Sequence, residues 1–371
     1  MKIIFLARYL PAEGSTTHMY SVAKNLIERG EEVYILSRGH ADDPSAINLF
    51  EKARLDGIRF VELPFPLYTK VNFISKIKQL CSYIYATPFA LYQFYKLKPD
   101  VIHSHYAVTT YLAAIHRFFT GKKFIITHHI MGIPKHFLNR KADYAIAISR
   151  ELKTFLISSY NYEESQVELI FNGVEKRENE INQTKIISLK KEFSIPSDKI
   201  IFGFVGSLSY RKGVDVLLKA FSTCTQFNVH LIILGDGEID WVKEMINEYQ
   251  LNDIVSLIPF RDPKDIYRMI DTLILPSRRE GFPLVPLEAM MMKKPVIRSN
   301  TEGAHDQIID GNNGYVFESE NHLELAKIIE KISNTPQSLE RLGENAYQHA
   351  MHNFTEDAMI DKMMALYQKT Q

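Results

Sequence analysis

In the stretch REGFPLVPLEAM, Glu280 and Glu288 stand eight positions apart on either side of an apolar, proline-punctuated run. Two carboxylates can serve as acid and base, as acceptors for a ligand's hydroxyl groups, or as solvated ends of a buried turn. Pro286 suits the first turn of a helix, which sets Glu288 at a helical amino terminus and leaves Glu280 in the loop before it. The pair then shares no helix face. Carboxylates that flank a glycosidic bond ordinarily come from separated strand ends, so this spacing does not predict glycoside hydrolysis. A loop carboxylate and a helix-start carboxylate suit a ligand that carries a ribose and a sugar.

The segment GSLSYRKGVDVLLKAF, beginning at Gly206, follows a strand-like run and opens a helical pattern. A turn of small residues between strand and helix lets backbone amides approach a phosphate, and Arg211 and Lys212 add positive charge near the helix start. It matches neither the Walker pattern nor a GxGxxG fingerprint, so an ordinary loop with solvated charges competes with the phosphate reading. At the front, Gly14 precedes Ser15, Thr16 and Thr17, which read as helix caps and could equally face a ligand. Gly303, in NTEGAHDQ, marks a helix start after the strand PVIRS, where it either presents amides to a ligand or simply turns the chain.

Histidine occurs 13 times, and His103 and His105 in HSH, like His128 and His129 in THH, each end a strand-like run. Zinc sites need further ligands within reach, and no paired cysteines or HExxH helix accompany these histidines, so no metal is expected. A strand-end histidine suits hydrogen bonding to a sugar or adjustment of charge near a reacting centre.

The elements that must position these residues come in two sets. KIIFLAR, VYILS, IRFVE, DVIHS, KFIIT, DYAIAI and VELIF alternate with helical patterns, as a parallel sheet covered by helices requires. After Asn172 comes the polar KRENEINQTK, a linker by texture, and then the grammar restarts with IIFGFVG, NVHLIIL, IVSLI, DTLILP, PVIRS and GYVF. The expected fold is α/β, two doubly wound, Rossmann-like domains facing a cleft, with ligands at the carboxyl ends of the strands. A length of 371 residues agrees with two domains. The boundaries expected are 1–180, 181–352, and a final amphipathic helix over 353–371. Its stripe runs through Ala358, Met359, Met363, Met364 and Leu366.

Basic and acidic residues both number 44, which gives no electrostatic reason to expect nucleic acid. Two distant cysteines, Cys81 and Cys224, fit a reducing compartment. MKIIFLARYL is too short an apolar run for a signal-peptide core, and no run of about 18 apolar residues spans a membrane, so a cytoplasmic location is expected.

Taken together, these segments resemble the retaining glycosyltransferases of the GT-B fold, specifically glycosyltransferase family 4, through nearly the whole chain. Glu280 and Glu288 form the group's E(x7)E signature. RGEEVYILS, THH, ADYAIAISREL, IFNGV, GSLSYRKGVDVLL, LILGDGE, EGFPLVPLEAM, KPVIRSNTEG and DGNNGYVF follow in the family's order. The resemblance implies hexosyl transfer from a nucleotide-diphosphate sugar, UDP- or GDP-linked, to a glycan or lipid-linked acceptor in cell-envelope polysaccharide or glycolipid synthesis. It implies retention of anomeric configuration by front-face internal return, with no cofactor and no essential metal. Lys212 is then the residue that offsets diphosphate charge. Glu280 lies near the donor-sugar hydroxyls, Glu288 on the ribose, and His129 near the sugar, with His128 as the alternative register. Gly14, Ser207, Arg211 and Gly303 complete the substrate positions. Ser207 departs from the family, which often has arginine directly after this glycine, and Arg211 is the neighbouring replacement. Two rivals are a nucleotide-sugar epimerase of the same fold and a non-catalytic sugar-nucleotide-binding module.

Between Glu62 and Asp100 there is no acidic residue, while Lys70, Lys76, Lys78, Lys96 and Lys98 alternate with aromatics from Phe65 and Tyr68 to Tyr95. Basic groups and interfacial aromatics on helices suit peripheral contact with an anionic membrane, and core aromatics with a solvated lysine face are the competing reading.

Overall fold

A computed structural model describes residues 1–42, 44–65, 73–132, 137–176, 183–258 and 261–371. Two units emerge, one of residues 1–172 and 356–371 and one of residues 173–355. The division falls at 172/173 and 355/356, against the expected 180/181 and 352/353. Most of the polar stretch read as a linker, and Tyr68 and Lys70 of the basic aromatic segment, lie outside the described residues; so do the side chains of Phe73 and Lys76.

Among the described residues the first unit holds seven strands, β1 (Lys2–Leu6), β2 (Glu32–Ser37), β3 (Arg59–Glu62), β4 (Val101–Ser104), β5 (Phe124–His128), β6 (Tyr144–Ala147) and β7 (Val167–Leu169). Five helices connect them: α1 (Gly14–Glu28), α2 (Pro44–Leu55), α3 (Phe73–Leu97), α4 (Thr110–Thr120) and α5 (Arg150–Tyr160). The sheet order is β3-β2-β1-β4-β5-β6-β7, every pairing parallel. Parallel strands need crossovers, which is why a helix separates most successive strands. The order reverses between β1 and β4, and such reversals open a crevice at the carboxyl ends of the strands. Local chemistry sets the boundaries. Ser149 caps α5 by accepting a hydrogen bond from the Leu152 amide at 3.0 Å, and Asn161 ends that helix in the left-handed region at φ 56°.

The second unit repeats the scheme with β8 (Ile200–Val205), β9 (Val229–Leu234), β10 (Val255–Ile258), β11 (Thr272–Leu275), β12 (Val296–Ser299) and β13 (Gly314–Phe317). Its helices are α6 (Gln183–Glu192), α7 (Val214–Ser222), α8 (Ile239–Glu248), α9 (Pro263–Met269), α10 (Leu284–Met291), α11 (Ala304–Gln307), α12 (His322–Asn334) and α13 (Ser338–Asn353). The order is β10-β9-β8-β11-β12-β13, again all parallel, with the reversal between β8 and β11. Every residue of β9 is buried, as a strand covered on both faces must be.

The final helix, α14 (Glu356–Gln368), belongs to the first unit. Its Met359, Ile360, Met363 and Leu366 join the core formed by Ile3 and Phe5 of β1 and by Val22 and Leu26 of α1. Ser21 and Asn25 of α1 donate hydrogen bonds to the Glu356 carboxylate, which fixes the helix start. The apolar stripe of the last segment thus has a definite place to pack.

Candidate active site

Lys212 follows β8 and Glu280 follows β11, the two strands at the reversal of the second sheet. Sheet order therefore brings together side chains 68 positions apart: Lys212 Nζ donates to Glu280 Oε1 at 2.6 Å. The side chains are 14% and 8% exposed, so the pair is largely withdrawn from water. Burial, the largest single influence, pushes the Glu280 carboxyl up, and the Lys212 ammonium opposes it by its field and then by its hydrogen bond. The Ser277 hydroxyl and the Arg298 guanidinium add to it, and the net result lies below the ordinary value. At neutral pH Glu280 is an ionised acceptor, which does not suit a proton donor.

The local sequence is built for this meeting. Tyr210–Lys212 form a 3-10 turn closed by Gly213 in the left-handed region at φ 70°. A Cβ on Gly213 would lie 2.0 Å from the Pro276 carbonyl oxygen, so only glycine lets the β8–α7 turn rest against the segment leaving β11. Arg278 ties the two together. Its amide donates to the Arg211 carbonyl at 2.9 Å and its guanidinium to the Tyr210 carbonyl at 2.6 Å. The same guanidinium grips Asp215 of α7 through two hydrogen bonds of 2.7 Å each and covers the Tyr210 ring at 3.6 Å. With Glu320 also held at 2.7 Å, Arg278 positions the Lys212 turn.

A second brace comes from β12. Arg298, fully buried, donates to the Gln307 side chain, and at 3.0 Å each to the Thr301 hydroxyl and the Glu302 carbonyl. Gln307 in turn donates to the Pro283 carbonyl at 2.9 Å. Gly303, at φ 73°, lies so close that a Cβ would be 2.8 Å from the Phe282 ring and 2.9 Å from the Gly281 carbonyl. The turn after β12 thereby presses on the residues directly following Glu280.

Glu288 differs in place from its expected position. Pro283 is the extended N-cap of α10 and the helix starts at Leu284, so Pro286 is in the first turn as read but Glu288 is its fifth residue, in the second turn. There it is half-buried and accepts a hydrogen bond from the buried Tyr267 hydroxyl at 2.7 Å. Ser207 is exposed just beyond β8. Arg211 is exposed, with Nη1 3.5 Å from the Arg279 carbonyl.

Gly14 and His129 belong to the first unit. Gly14 is the first residue of α1 and Glu13 its N-cap, whose carbonyl accepts from the Thr16 and Thr17 amides at 3.0 Å. Ser15, Thr16 and Thr17 therefore sit inside the helix instead of capping it. A Cβ on Gly14 would meet nothing within 4 Å, so packing does not require this glycine.

The histidines at and just beyond the strand ends separate into two environments. The His129 ring lies 5.5 Å from that of His18 on α1 and is stacked 5.7 Å from that of His105. Burial lowers its pKa to about 4, and among the described residues its Nε2 has no hydrogen-bond partner. His128 instead lies near Tyr160 and Tyr162, with a pKa lowered by burial, then by the His129 charge, to about 3. His103 is structural: its ring nitrogens are each 2.8 Å from a hydroxyl, that of Tyr367 on α14 and that of Thr127 on β5. Among the described residues no group of three or more His, Cys, Asp or Glu could hold a metal ion.

Sequence reasoning missed Arg278, Asp215, Arg298, Tyr267 and His18. Only Arg298 left a trace, as a charge inside the apolar strand PVIRS; the others depend on partners far along the chain.

Residues 185–349 match the family model described as Glycosyl transferases group 1, and residues 12–178 match Glycosyltransferase Family 4. An uncharacterized glycosyltransferase of Methanocaldococcus jannaschii is 30% identical over 257 residues, 66% of this chain and 69% of that protein. The capsular polysaccharide biosynthesis glycosyltransferase CapM of Staphylococcus aureus is 26% identical over 234 residues, 60% of each chain. Among solved structures, Anabaena HepE in complex with UDP-glucose shares the fold with a TM-score of 0.80 at 22% identity, over 100% of both chains.

Proposed function

The chain belongs to glycosyltransferase family 4, with the two-domain GT-B architecture, and on that premise we propose that it is a retaining hexosyltransferase. It moves a sugar from a UDP- or GDP-linked donor to a glycan or lipid-linked acceptor, at the cytoplasmic side of cell-envelope polysaccharide or glycolipid synthesis. The observation that carries the reading is the buried Lys212–Glu280 pair at the β8/β11 reversal, beside a small-residue turn that opens α7. Open α/β sheets bind nucleotides at this place, and a cation held there meets the growing charge of a departing diphosphate.

The roles divide by chemistry. Lys212, with Arg211 beside it, offsets the diphosphate. Ionised Glu280 orients Lys212 and accepts from donor-sugar hydroxyls, and Glu288 accepts from the ribose. Ser207 and Gly303 shape the loops around the donor, and within the first unit Gly14 and neutral His129 are the substrate-contacting positions. In the transfer, the acceptor oxygen attacks the anomeric carbon from the face that the leaving group departs. The bond from that carbon to phosphate oxygen breaks as the bond to the acceptor oxygen forms, and the leaving phosphate takes the acceptor proton. No protein base is needed for that proton, and Glu280, its proton affinity lowered by Lys212, is a weak one. HepE with UDP-glucose supports a UDP-linked donor and CapM a cell-envelope glycan product.

Melting curves with millimolar UDP, GDP and ADP test the reading, because a ligand that binds only the folded state raises its stability, by about 2.7 kcal/mol at a hundredfold excess over Kd. UDP or GDP should raise the melting temperature of the wild type and not of Lys212→Met. The reading fails if no nucleoside diphosphate shifts the wild type. Conversion of a nucleotide sugar incubated without acceptor would point to an epimerase.

A further inference from the structure

Helix α3 is apolar on both faces. Tyr83, Ala86, Ala90 and Phe94, three and four positions apart, are buried and provide the stripe with which a surface helix packs. The opposite side carries Ile84, Tyr85, Phe89, Tyr92 and Tyr95, each between 45% and 78% exposed. Scattered exposed apolar residues are ordinary, but a continuous row along a helix has a use. Alongside lies α4: the Tyr111 hydroxyl donates to the Tyr83 carbonyl at 3.0 Å, and the Phe94 and His116 rings are 5.2 Å apart. α4 ends in Phe118 and Phe119, 84% and 74% exposed, so a second element adds large rings to the solvent surface.

Along the segment that contains α3 the charge has one sign. Between Glu62 and Asp100 the sequence has five lysines and no carboxylate. Lys78, Lys96 and Lys98 are exposed and, among the described residues, form no ion pair. Beyond α4, Lys122 and Lys123 extend the positive rim. Rings that bury well beside ammonium groups left in water match the boundary between acyl chains and anionic headgroups. No helix among the described residues is long and apolar enough to cross a membrane. With 25 residues, about 37 Å, α3 is suited to lying along one.

We propose that the outer face of α3 and the end of α4 dock the first unit on an anionic lipid bilayer, with α3 in the plane of the headgroups. A second copy of the chain fits this face poorly, because a two-fold contact would set the same lysines against each other with no carboxylate from residues 63–99 between them. The surface gives the lipid-linked acceptor a route to the enzyme, and in that purpose it rests on the proposed function. The docking itself is measured without turnover.

The test is flotation of the full chain with phosphatidylcholine vesicles, with and without about 30 mol% phosphatidylglycerol, at about 0.1 and 0.5 M salt, a contrast that screening of charge makes informative. The wild type should float with the anionic vesicles at low salt and at least about tenfold less with neutral vesicles or at high salt. The combined variant Tyr92→Ser, Phe118→Ser, Phe119→Ser should lose at least about tenfold in partition. Charge reversal of Lys78, Lys96 and Lys98 should cost at least roughly fivefold per residue. Both variants should keep the wild-type circular dichroism and response to nucleoside diphosphate. Absence of wild-type flotation on anionic vesicles overturns the proposal, as does flotation indifferent to both sets of substitutions. A dimer in sedimentation that the aromatic substitutions dissociate, without lipid binding, assigns the face to a second copy instead. A chain that floats but ignores all nucleotides refutes the donor site and leaves the docking surface standing.

Discussion

Replacing Lys212 with methionine keeps most of the side-chain volume and removes the charge opposite Glu280. The pair is 14% and 8% exposed, so the remaining carboxylate would be left largely buried without its principal counter-charge. Breaking a buried ion pair from one side costs about 3–5 kcal/mol, and the small remaining access to water places this case near the lower figure at pH 8. With a urea m-value of about 2 kcal/mol/M, a loss of about 3 kcal/mol lowers the midpoint by about 1.5 M. Trp241, the single tryptophan, lies on α8 against the core of the second unit, so its fluorescence reports unfolding of that unit alone.

The pH dependence makes the prediction specific. In the wild type, Lys212 holds the Glu280 pKa below the ordinary 4.5, so the pair's contribution is complete above 4.5 and is lost as pH falls through the folded value. In Lys212→Met, burial is no longer opposed by Lys212 and the folded pKa rises. Stability is then lost as pH rises from the unfolded value through the folded one. The difference between wild type and variant should therefore be largest near pH 8 and narrow toward pH 5. Glu280→Gln, which leaves the ammonium unpaired, should also destabilise, and the double variant should be more stable than the two single losses sum to. A wild-type-to-variant gap identical at pH 5 and pH 8, or single losses that add within about 0.5 kcal/mol, would refute the coupling.

Gly213→Ala forces a Cβ to within 2.0 Å of the Pro276 oxygen at φ 70°. It should cost the second unit about 3–5 kcal/mol by Trp241 fluorescence and abolish the nucleotide response by moving Lys212. Gly14→Ala, with nothing within 4 Å of the new Cβ, should leave the fold unchanged or up to about 1 kcal/mol more stable by circular dichroism. Neutrality of the first substitution or unfolding by the second would contradict these contacts. Burial, with the neighbouring His129 charge, lowers the pKa of His103 and of His128 to about 3, and burial lowers that of His129 to about 4, while unfolded histidine titrates near 6.5. Between those values only the unfolded chain gains protons, so the first unit should be steady above pH 6.5 and lose up to about 1.4 kcal/mol per pH unit per histidine below it. Melting curves from pH 7.5 to 4.5 read this directly, and a flat melting temperature would remove it.

The 13 strands among the described residues are visible as short β-rich runs, because parallel strands covered by helices are largely apolar and most are followed by a crossover helix. The glycine turns after β8 and β12 were likewise legible, since turns have local chemistry, whereas the turn expected at Gly14 is the first turn of α1. The start of α10 was misplaced by less than a turn because Pro286 is acceptable at several first-turn positions, and only the extended backbone at Pro283 decides among them.

What the sequence by itself determined is the inventory: two α/β sets, the loops that leave their strands, and the residue types at those loops. Tertiary structure alone decided the partnerships. Glu280 meets Lys212 because β11 lies next to β8, Arg278 is committed to Asp215 because Gly213 lets the two turns touch, and His103 is satisfied because α14 belongs to the first unit. Periodicity records which way a side chain faces within its own element. Strand order records which elements are neighbours, and it is set by the packing of whole helices and sheets, so a pairing across 68 residues has no local signature.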